Sequence, residues 1–563
     1  MGFKLRPYQR ECCKAIQDAW HDHQSVMVEL ATGTGKTEIF TEMLRRLQLS
    51  EQEKSRGLVV CPQLPLIAQA ADKIYKRTGD RPAIEQASNW SREHGKWRSD
   101  FIVGSKQSLT LTRRDGTKRY ERFEDVGVLI VDECHLSITP PFIEMVEHFL
   151  RGGAKVLGVT ATAKRHDGKA EGVLYETCAF QYGIQEAIKD GWLVAPKTEV
   201  VMLKSLDLSN IGTSYNQYGA DFAVTELNEA IENLETICEI ADAAARETKG
   251  RKTVVYCASV AEAKLVSERL SDHHGIKSGW ICADEKRCTK KTREATLASF
   301  VSDDEDSISH VANVGILTTG WDFPALQAIV MARPTKSKPL FTQILGRGTR
   351  ALEGVVDFPD STPELRRQRI AESAKPDFLM IDLVDNSLEH KIVTSADVLG
   401  GNYNVAVVDR AKGDLLAAEG PQSVSDALER AERELAAEEV EIQREKRERA
   451  ERRARAKVKA QLEYEKRQVD VFGQVEGISR SRGKSKATMP FGKYKGRSLS
   501  EVPTGYLQYA LANFTLHFTT ELNVQDELVR RMNPAPRAEP SASFAVKSME
   551  TDLDDVLQTL RRK

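Results

Sequence analysis

LATGTGKT (30–37) decides the fold once it is set beside VLIVDECH (128–135). The first stretch is a Gly-rich turn that follows an apolar run. Backbone N–H groups of such a turn cradle phosphates ahead of a helix N-terminus. Thr32, Gly33, Thr34 and Gly35 would form the cradle, Lys36 would reach the phosphates, and Thr37 would ligate Mg²⁺. The strict loop pattern asks for Gly where Leu30 stands, so the loop does not settle the matter alone. The second stretch is an apolar strand ending in two acids. Asp132 is placed to hold Mg²⁺ and Glu133 to polarise an attacking water. Phosphoryl transfer needs both a metal to neutralise charge and a group to position the nucleophile.

Around these two stretches the chain alternates helical patterns with short apolar runs. SVMVEL (25–30), GLVVCP (57–62), DFIVGS (100–105), VGVLIVDE (126–133) and KVLGVTAT (155–162) form a first set. TVVYCAS (253–259), SGWICAD (278–284), VANVGILTT (311–319), AIVMARP (328–334) and FLMIDLVD (378–385) form a second. Each run is β-branched and nearly continuous, as for strands buried on both faces of a parallel sheet. Strands separated by helices predict an α/β fold, and the restart predicts two lobes.

The chain has 563 residues, room for about three to four domains at roughly 150 each. Hydrophobic residues are 40% and charged residues 29%, which excludes a collagen and a wholly disordered chain. No run of 18 apolar residues predicts a membrane span. The nine cysteines include no CxxC pair, and the N-terminus has no apolar signal core. Reduced thiols in a cytoplasmic setting are expected. The net charge of −2 hides clustering. Residues 424–470 predict a long charged helix, with net charge −5 over 426–441 and +6 over 442–467. Acid first and base last complements the helix dipole. A solvated spacer and a nucleic-acid- or partner-contacting arm both suit it.

The remaining segments read as a Gly/Ser/Lys/Arg linker (474–488), a small basic module (489–533) and a mostly disordered tail (534–563). Residues 480–497 hold seven basic side chains and no acids, with Phe491 and Tyr494 interleaved among Lys493 and Lys495. Cations for phosphates and aromatics for bases suit nucleic-acid binding. A basic turn over a small core that contains both rings is the other reading.

QILGRGTR (343–350) spaces Arg347 and Arg350 about one helical turn apart. Facing a phosphate loop across a two-lobe cleft, they suit the γ-phosphate and its transition state. With this third element the order of motifs over about residues 3–400 resembles the superfamily 2 helicases and translocases. It is most similar to the branch containing the motor subunits of type I and type III restriction enzymes.

The resemblance implies an α/β fold of two tandem RecA-like parallel-sheet lobes. The first would span 1–195 and the second 246–410, joined by a connecting segment, 196–245. It implies ATP and Mg²⁺ as cofactors and DNA, duplex or single-stranded, as the partner. In LRPYQ (5–9), Gln9 would read the adenine edge. VVCPQLPLIAQ (59–69) and VGSKQSL (103–109) resemble elements that grip the nucleic-acid backbone, which points to Pro62, Gln63, Ser105 and Gln107. TAT (160–162) resembles the motif linking hydrolysis to strand movement. In NVGILTTGWDFP (313–324), Thr318 and Thr319 would lie near nucleic-acid phosphates, and Gly320 and Asp322 by the nucleotide. Gln343 and His135 would couple the lobes. MPFGKYKGRSLSEVP (489–503) resembles the C-terminal module of exodeoxyribonuclease X-like proteins.

The expected function is therefore an ATP-dependent DNA helicase or double-strand DNA translocase in a bacterial cell or phage-infected host. No nuclease signature follows the lobes. Three alternatives remain open: a motor subunit working with a nuclease, modification, replication or recombination partner; an RNA helicase; and an ATP-switched nucleic-acid clamp.

Overall fold

The computed structural model describes residues 5–49, 56–91, 98–161, 173–216, 218–318, 320–386, 392–401, 403–473, 487–514 and 516–532. The chain divides into two units, the first ending at Glu445 and the second beginning at Lys446. The first unit contains two tandem seven-stranded sheets.

Seven parallel strands make the first sheet: β1 (Ser25–Leu30), β2 (Arg56–Cys61), β3 (Ala83–Glu85), β4 (Phe101–Ser105), β5 (Val126–Asp132), β6 (Lys155–Thr160) and β7 (Thr177–Tyr182). Their order is β3-β4-β2-β5-β6-β1-β7. β2, β4 and β5 are buried at every residue, as their continuous apolar sequences predict. β1 lies between β6 and β7, and β5 between β2 and β6, so the phosphate loop and the Asp-Glu pair emerge at the same sheet edge. This is the carboxyl end of a parallel sheet, where ligands bind in open α/β folds.

The next strands are β8 (Pro196–Met202), a hairpin of β9 (Thr213–Asn216) and β10 (Gly219–Phe222), β11 (Thr253–Tyr256), β12 (Ser278–Cys282), β13 (His310–Val314), β14 (Ala328–Met331), β15 (Phe378–Val384) and β16 (Gln422–Ser423). The second sheet runs β12-β13-β11-β14-β15-β8-β16, parallel except for β16. The stretch 196–245, expected as a connection, thus contributes β8, paired with β15 along seven residues. The helix Leu234–Glu247 also packs its apolar face into the second core.

VANVGILTT stops being a strand at Val314. The Asn313 side chain accepts from the Ile316 and Leu317 N–H groups at 3.1 Å each, and Gly315 takes a positive φ of 72°. The chain therefore turns into the cleft where an unbroken apolar run suggested more strand.

The charged helix spans Val424–Gly473. Val424, Ala427, Leu428 and Ala431 are buried, and Arg410 grips Glu434 and Glu438 at 3.0 and 2.7 Å. From Glu438 to Tyr464 every residue is exposed. The second unit has its own small core of Met489, Leu499, Val502, Leu507, Ala510, Val524 and Leu528. Two helices, Thr504–Asn513 and Phe518–Met532, close over it. The linker is described only at 487–488, and the tail 534–563 lies outside the described residues. No helix among the described residues is long and apolar enough to cross a membrane.

Candidate nucleotide site and nucleic-acid surface

β1 ends at Leu30, and the helix Lys36–Gln48 begins after five residues. Gly33 and Gly35 take φ of 88° and 82°, which an L side chain rarely adopts. A Cβ on Gly35 would also stand 2.6 Å from the Gln9 amide nitrogen. That amide shapes the loop: Gln9 Nε2 donates to the Thr34 carbonyl at 3.0 Å, and Tyr8 Oη donates to the same oxygen at 2.6 Å. Gln9 Oε1 accepts from the Arg6 N–H at 2.9 Å. Gln9, expected to read a base, has both ends of its amide engaged in holding the phosphate loop and the Arg6 backbone. Thr37 is the second residue of the loop's helix.

Lys36 Nζ lies 3.3 Å from Glu133 Oε1. Asp132 ends β5, and Glu133, the next residue, sits at φ 44°. Strained backbone at a non-glycine residue persists where surrounding contacts over-determine it. Burial, and then the Glu133 charge, pushes the Asp132 carboxyl up to about 7. Glu133 feels the same burial, but Lys36 and then His135 hold it below the usual carboxylate range. The two acids are thereby pushed apart in acidity, as paired groups with different tasks are. His135 Nδ1 lies 2.7 Å from Thr160 Oγ1 and 3.6 Å from Glu133, tying the acid pair to β6. Thr162, the last residue of that motif, lies outside the described residues.

The second lobe closes onto the loop through QILGRGTR. A Cβ on Gly346 would stand 2.4 Å from Thr32 Cβ, so the helix Lys338–Gly348 meets the loop nearly in backbone contact. Gln343 lies one turn earlier on that face, is 2% exposed, and neither end of its amide has a hydrogen-bond partner among the described residues. The structure separates the two arginines. The helix ends at Gly348, and Arg350 continues in a bridge to Leu193. The Val194 N–H donates to the Thr349 carbonyl at 2.7 Å. Arg350 therefore lies across the phosphate loop, its Cγ 3.2 Å from where a Gly33 Cβ would be. It pairs with Asp322, and its buried Nε has no hydrogen-bond partner among the described residues. Burial pulls its guanidinium down to about 10. Arg347 instead donates to the Thr318 and Trp321 carbonyls at 2.9 and 2.5 Å.

Several participants carried no sequence signal. Lys375 is buried and donates at 2.7 Å to the carbonyls of Arg350 and Pro324, holding the arginine's backbone. Asp357 takes both ends of the Arg6 guanidinium at 2.8 Å. The Arg6 and Arg366 guanidiniums lie over the Trp192 ring at 4.7 and 3.7 Å. Lys375, Asp357 and Trp192 are single residues contributed by loops, outside any motif spacing.

The candidate nucleic-acid residues of the first lobe lie together. Gln107 Nε2 donates to the Pro62 carbonyl at 3.4 Å, which joins the two grip segments, and Gln63 precedes the helix Leu64–Thr78. Ser105 caps a short turn by accepting from the Ser108 N–H at 3.1 Å. Gln69 of the first lobe reaches the Gly320 carbonyl of the second. Thr319 lies outside the described residues. In the second unit, Lys493 and Lys495 are exposed, whereas Phe491 and Tyr494 pack against its core.

The site fits a nucleoside triphosphate. The loop presents a cradle with glycine at its two positive-φ positions, and beside it lie the buried Gln343 amide and Arg350 Nε, neither with a hydrogen-bond partner among the described residues. A nucleotide site completed from two tandem lobes defines the two-lobed P-loop motors, and in architecture this chain is one. Residues 2–165 match the family described as “Type III restriction enzyme, res subunit”, and residues 232–352 match “Helicase conserved C-terminal domain”. The chain belongs to superfamily 2, the ATP-hydrolysing helicases and translocases, and is related to restriction-enzyme motor subunits.

It is 27% identical to the “Putative ATP-dependent helicase IRC3” of Saccharomyces cerevisiae, over 62% of this chain and 49% of that one. It is 23% identical to the type I restriction enzyme EcoAI endonuclease subunit of Escherichia coli, over 64% and 47%. The chain thus spans about half the length of these curated relatives. The ATP-dependent type ISP restriction-modification enzyme LlaBIII bound to DNA shares the fold, with TM-score 0.51 and 17% identity over 74% of this chain and 31% of that one. Residues 484–513 match the family described as “Putative quorum-sensing-regulated virulence factor”, a different resemblance from the exodeoxyribonuclease X module.

Proposed function

We propose that this chain is an ATP-dependent DNA helicase or double-strand DNA translocase that couples Mg²⁺-ATP hydrolysis to movement along DNA. The observation that carries the reading is Arg350 of the second lobe lying over Gly33 of the phosphate loop. Hydrolysis in such a site is coupled to lobe position, because the arginine reaches the nucleotide only when the lobes are closed. In this reading Lys36 binds the terminal phosphates, and Thr37 and Asp132 hold Mg²⁺. Glu133 orients the attacking water, and Arg350 offsets charge developing on the γ-phosphate. Asp132 would hold the metal as its carboxylate, and the metal would supply neutralisation of phosphate charge. Movement follows from alternating grip by Pro62, Gln63, Ser105 and Gln107 on one lobe and Thr318 and Thr319 on the other. DNA is preferred to RNA because the matched relatives include restriction-enzyme subunits.

The test is steady-state ATP turnover with no nucleic acid, duplex DNA, single-stranded DNA and duplex RNA at one fixed salt concentration. Stimulation by DNA is expected. Stimulation by RNA alone, or by none of them, overturns the DNA-motor reading. A second reading is a motor subunit completed by a nuclease or modification partner. It is favoured by the similarity to type I restriction enzyme endonuclease subunits. A stoichiometric partner on native purification would establish it.

A further inference from the structure

We propose that Trp90 and the neighbouring hairpin Thr112–Lys118 form a stacking contact for single-stranded nucleic acid on the first lobe. The proposal deepens the motor reading and rests on it only for the class of polymer.

Trp90 is 47% exposed, yet the structure beneath it is built from buried charge. The Arg119 guanidinium lies under the indole at 3.7 Å and is itself 2% exposed. It donates to Glu85 Oε2 at 2.5 Å, to the Ala87 carbonyl at 2.7 Å and to the Asn89 carbonyl. Glu85 is fully buried and accepts from the Ser91 N–H and hydroxyl at 2.6 and 2.7 Å. Ala87 is held at φ 49°, a conformation that needs such support. A buried ion pair is a costly way to order a surface loop. Here it orders the loop that carries a half-exposed aromatic side chain.

The surroundings identify what that face takes. Arg122 and Arg113 lie 4.9 and 5.6 Å from the ring, so three guanidiniums surround one indole. Arg113 and Arg114 sit at the exposed turn of a hairpin closed by the Thr112–Lys118 bridge and the Arg113–Thr117 hydrogen bond. Asp115, the acid of that turn, accepts from Thr117 at 3.0 and 2.7 Å. Leu111, at the base, is exposed. The hairpin directly follows Ser105–Leu109, and the Ala87 N–H donates to Ser108 Oγ at 2.9 Å. The Trp90 loop is thus attached to the Ser105–Leu109 segment, which the motor reading assigns to nucleic-acid grip. A flat aromatic face ringed by cations binds an unpaired base with its phosphates. A duplex hides its base faces in the stack, so the contact selects an unpaired strand.

The experiment uses the full chain and a bromodeoxyuridine-substituted oligothymidine, without ATP. Irradiation should yield an adduct that mass spectrometry maps to Trp90. Trp90→Ala should weaken equilibrium binding of the oligothymidine about tenfold, as expected for removing one base–aromatic stack, while Trp90→Phe retains most of the affinity. Arg113→Ser with Arg114→Ser should flatten the log–log salt dependence by about 0.7 for each phosphate no longer neutralised. Unchanged oligothymidine affinity in Trp90→Ala, or adducts only elsewhere, overturns the proposal. DNA-stimulated ATP turnover in that same variant would leave the motor reading standing. No oligothymidine binding by the unaltered chain overturns the stacking contact, and the duplex-DNA turnover test then judges the motor separately.

Discussion

Gly346→Ala tests lobe closure with one added methyl group. The Cβ would stand 2.4 Å from Thr32 Cβ and 2.8 Å from Thr32 Cγ2. Carbon atoms rest at about 3.5–4.0 Å, so the two surfaces must part by more than about 1 Å. The helix Lys338–Gly348 does not suffer directly, because Ala is favoured over Gly in a helix by about 1 kcal/mol. The nearest atoms to the new methyl all belong to Thr32, on the opposite lobe. Melting temperature should therefore hold, and nucleotide binding by the first lobe should change little. The displacement reaches Arg350, four residues on, which must touch the nucleotide from the second lobe. A misplacement of about 1 Å in a catalytic group costs on the order of 100-fold in rate. Steady-state ATP turnover in Gly346→Ala should fall by that order, and Thr32→Gly in the same chain should restore part of it. Turnover within twofold of the unaltered protein would show that the closed juxtaposition is not the hydrolysing one.

Lys36→Ala and Glu133→Gln should each lower ATP turnover at least about 100-fold, with Glu133→Gln still binding nucleotide in a fluorescent-analogue titration. Normal turnover in either removes the site assignment. Arg350→Ala should cut turnover with nucleotide affinity largely intact; Lys375→Met should do so more mildly, because Lys375 holds the Arg350 backbone carbonyl and not its guanidinium. Equal kinetics in Lys375→Met and the unaltered chain would deny it the positioning role. Burial lowers the His310 imidazole from 6.5 to about 4, so the unfolded chain binds the extra proton between those values. Stability is then lost as pH falls through that window, by about 3 kcal/mol when complete. Urea unfolding at pH 7 and pH 4.5 should show a smaller acid loss in His310→Gln; an identical loss refutes the assignment.

The elements legible in the sequence are those whose environment is uniform. β2, β4 and β5 are buried on both faces, so their residues are apolar with little interruption, and the runs announce them. β8 and β7 carry no such signal, for the opposite reason. PKTEVVM opens on Pro196 and carries Lys197 and Glu199 on partly open positions, and TCAFQY lies at the sheet edge with only Tyr182 buried. The phosphate loop and the Asp-Glu pair were legible because their chemistry fixes both residue type and local spacing. Contacts across the cleft obey no spacing. Arg6 meets Asp357 351 positions away, and Lys375 reaches Arg350 through a backbone carbonyl that any residue would supply. The arginines show the limit most clearly. Their three-residue interval predicted a shared helix face, but the helix stops between them and sends Arg350 over the loop and Arg347 to the Thr318 and Trp321 carbonyls. Sequence periodicity describes a side chain only while its helix lasts. Beyond Gly348 the direction of Arg350 is set by Leu193 and Val194, residues whose own identity reveals nothing about an arginine. The part of the site that makes hydrolysis depend on lobe position is therefore the part carried by tertiary contacts, and Gly346→Ala perturbs that part while leaving the legible motifs intact.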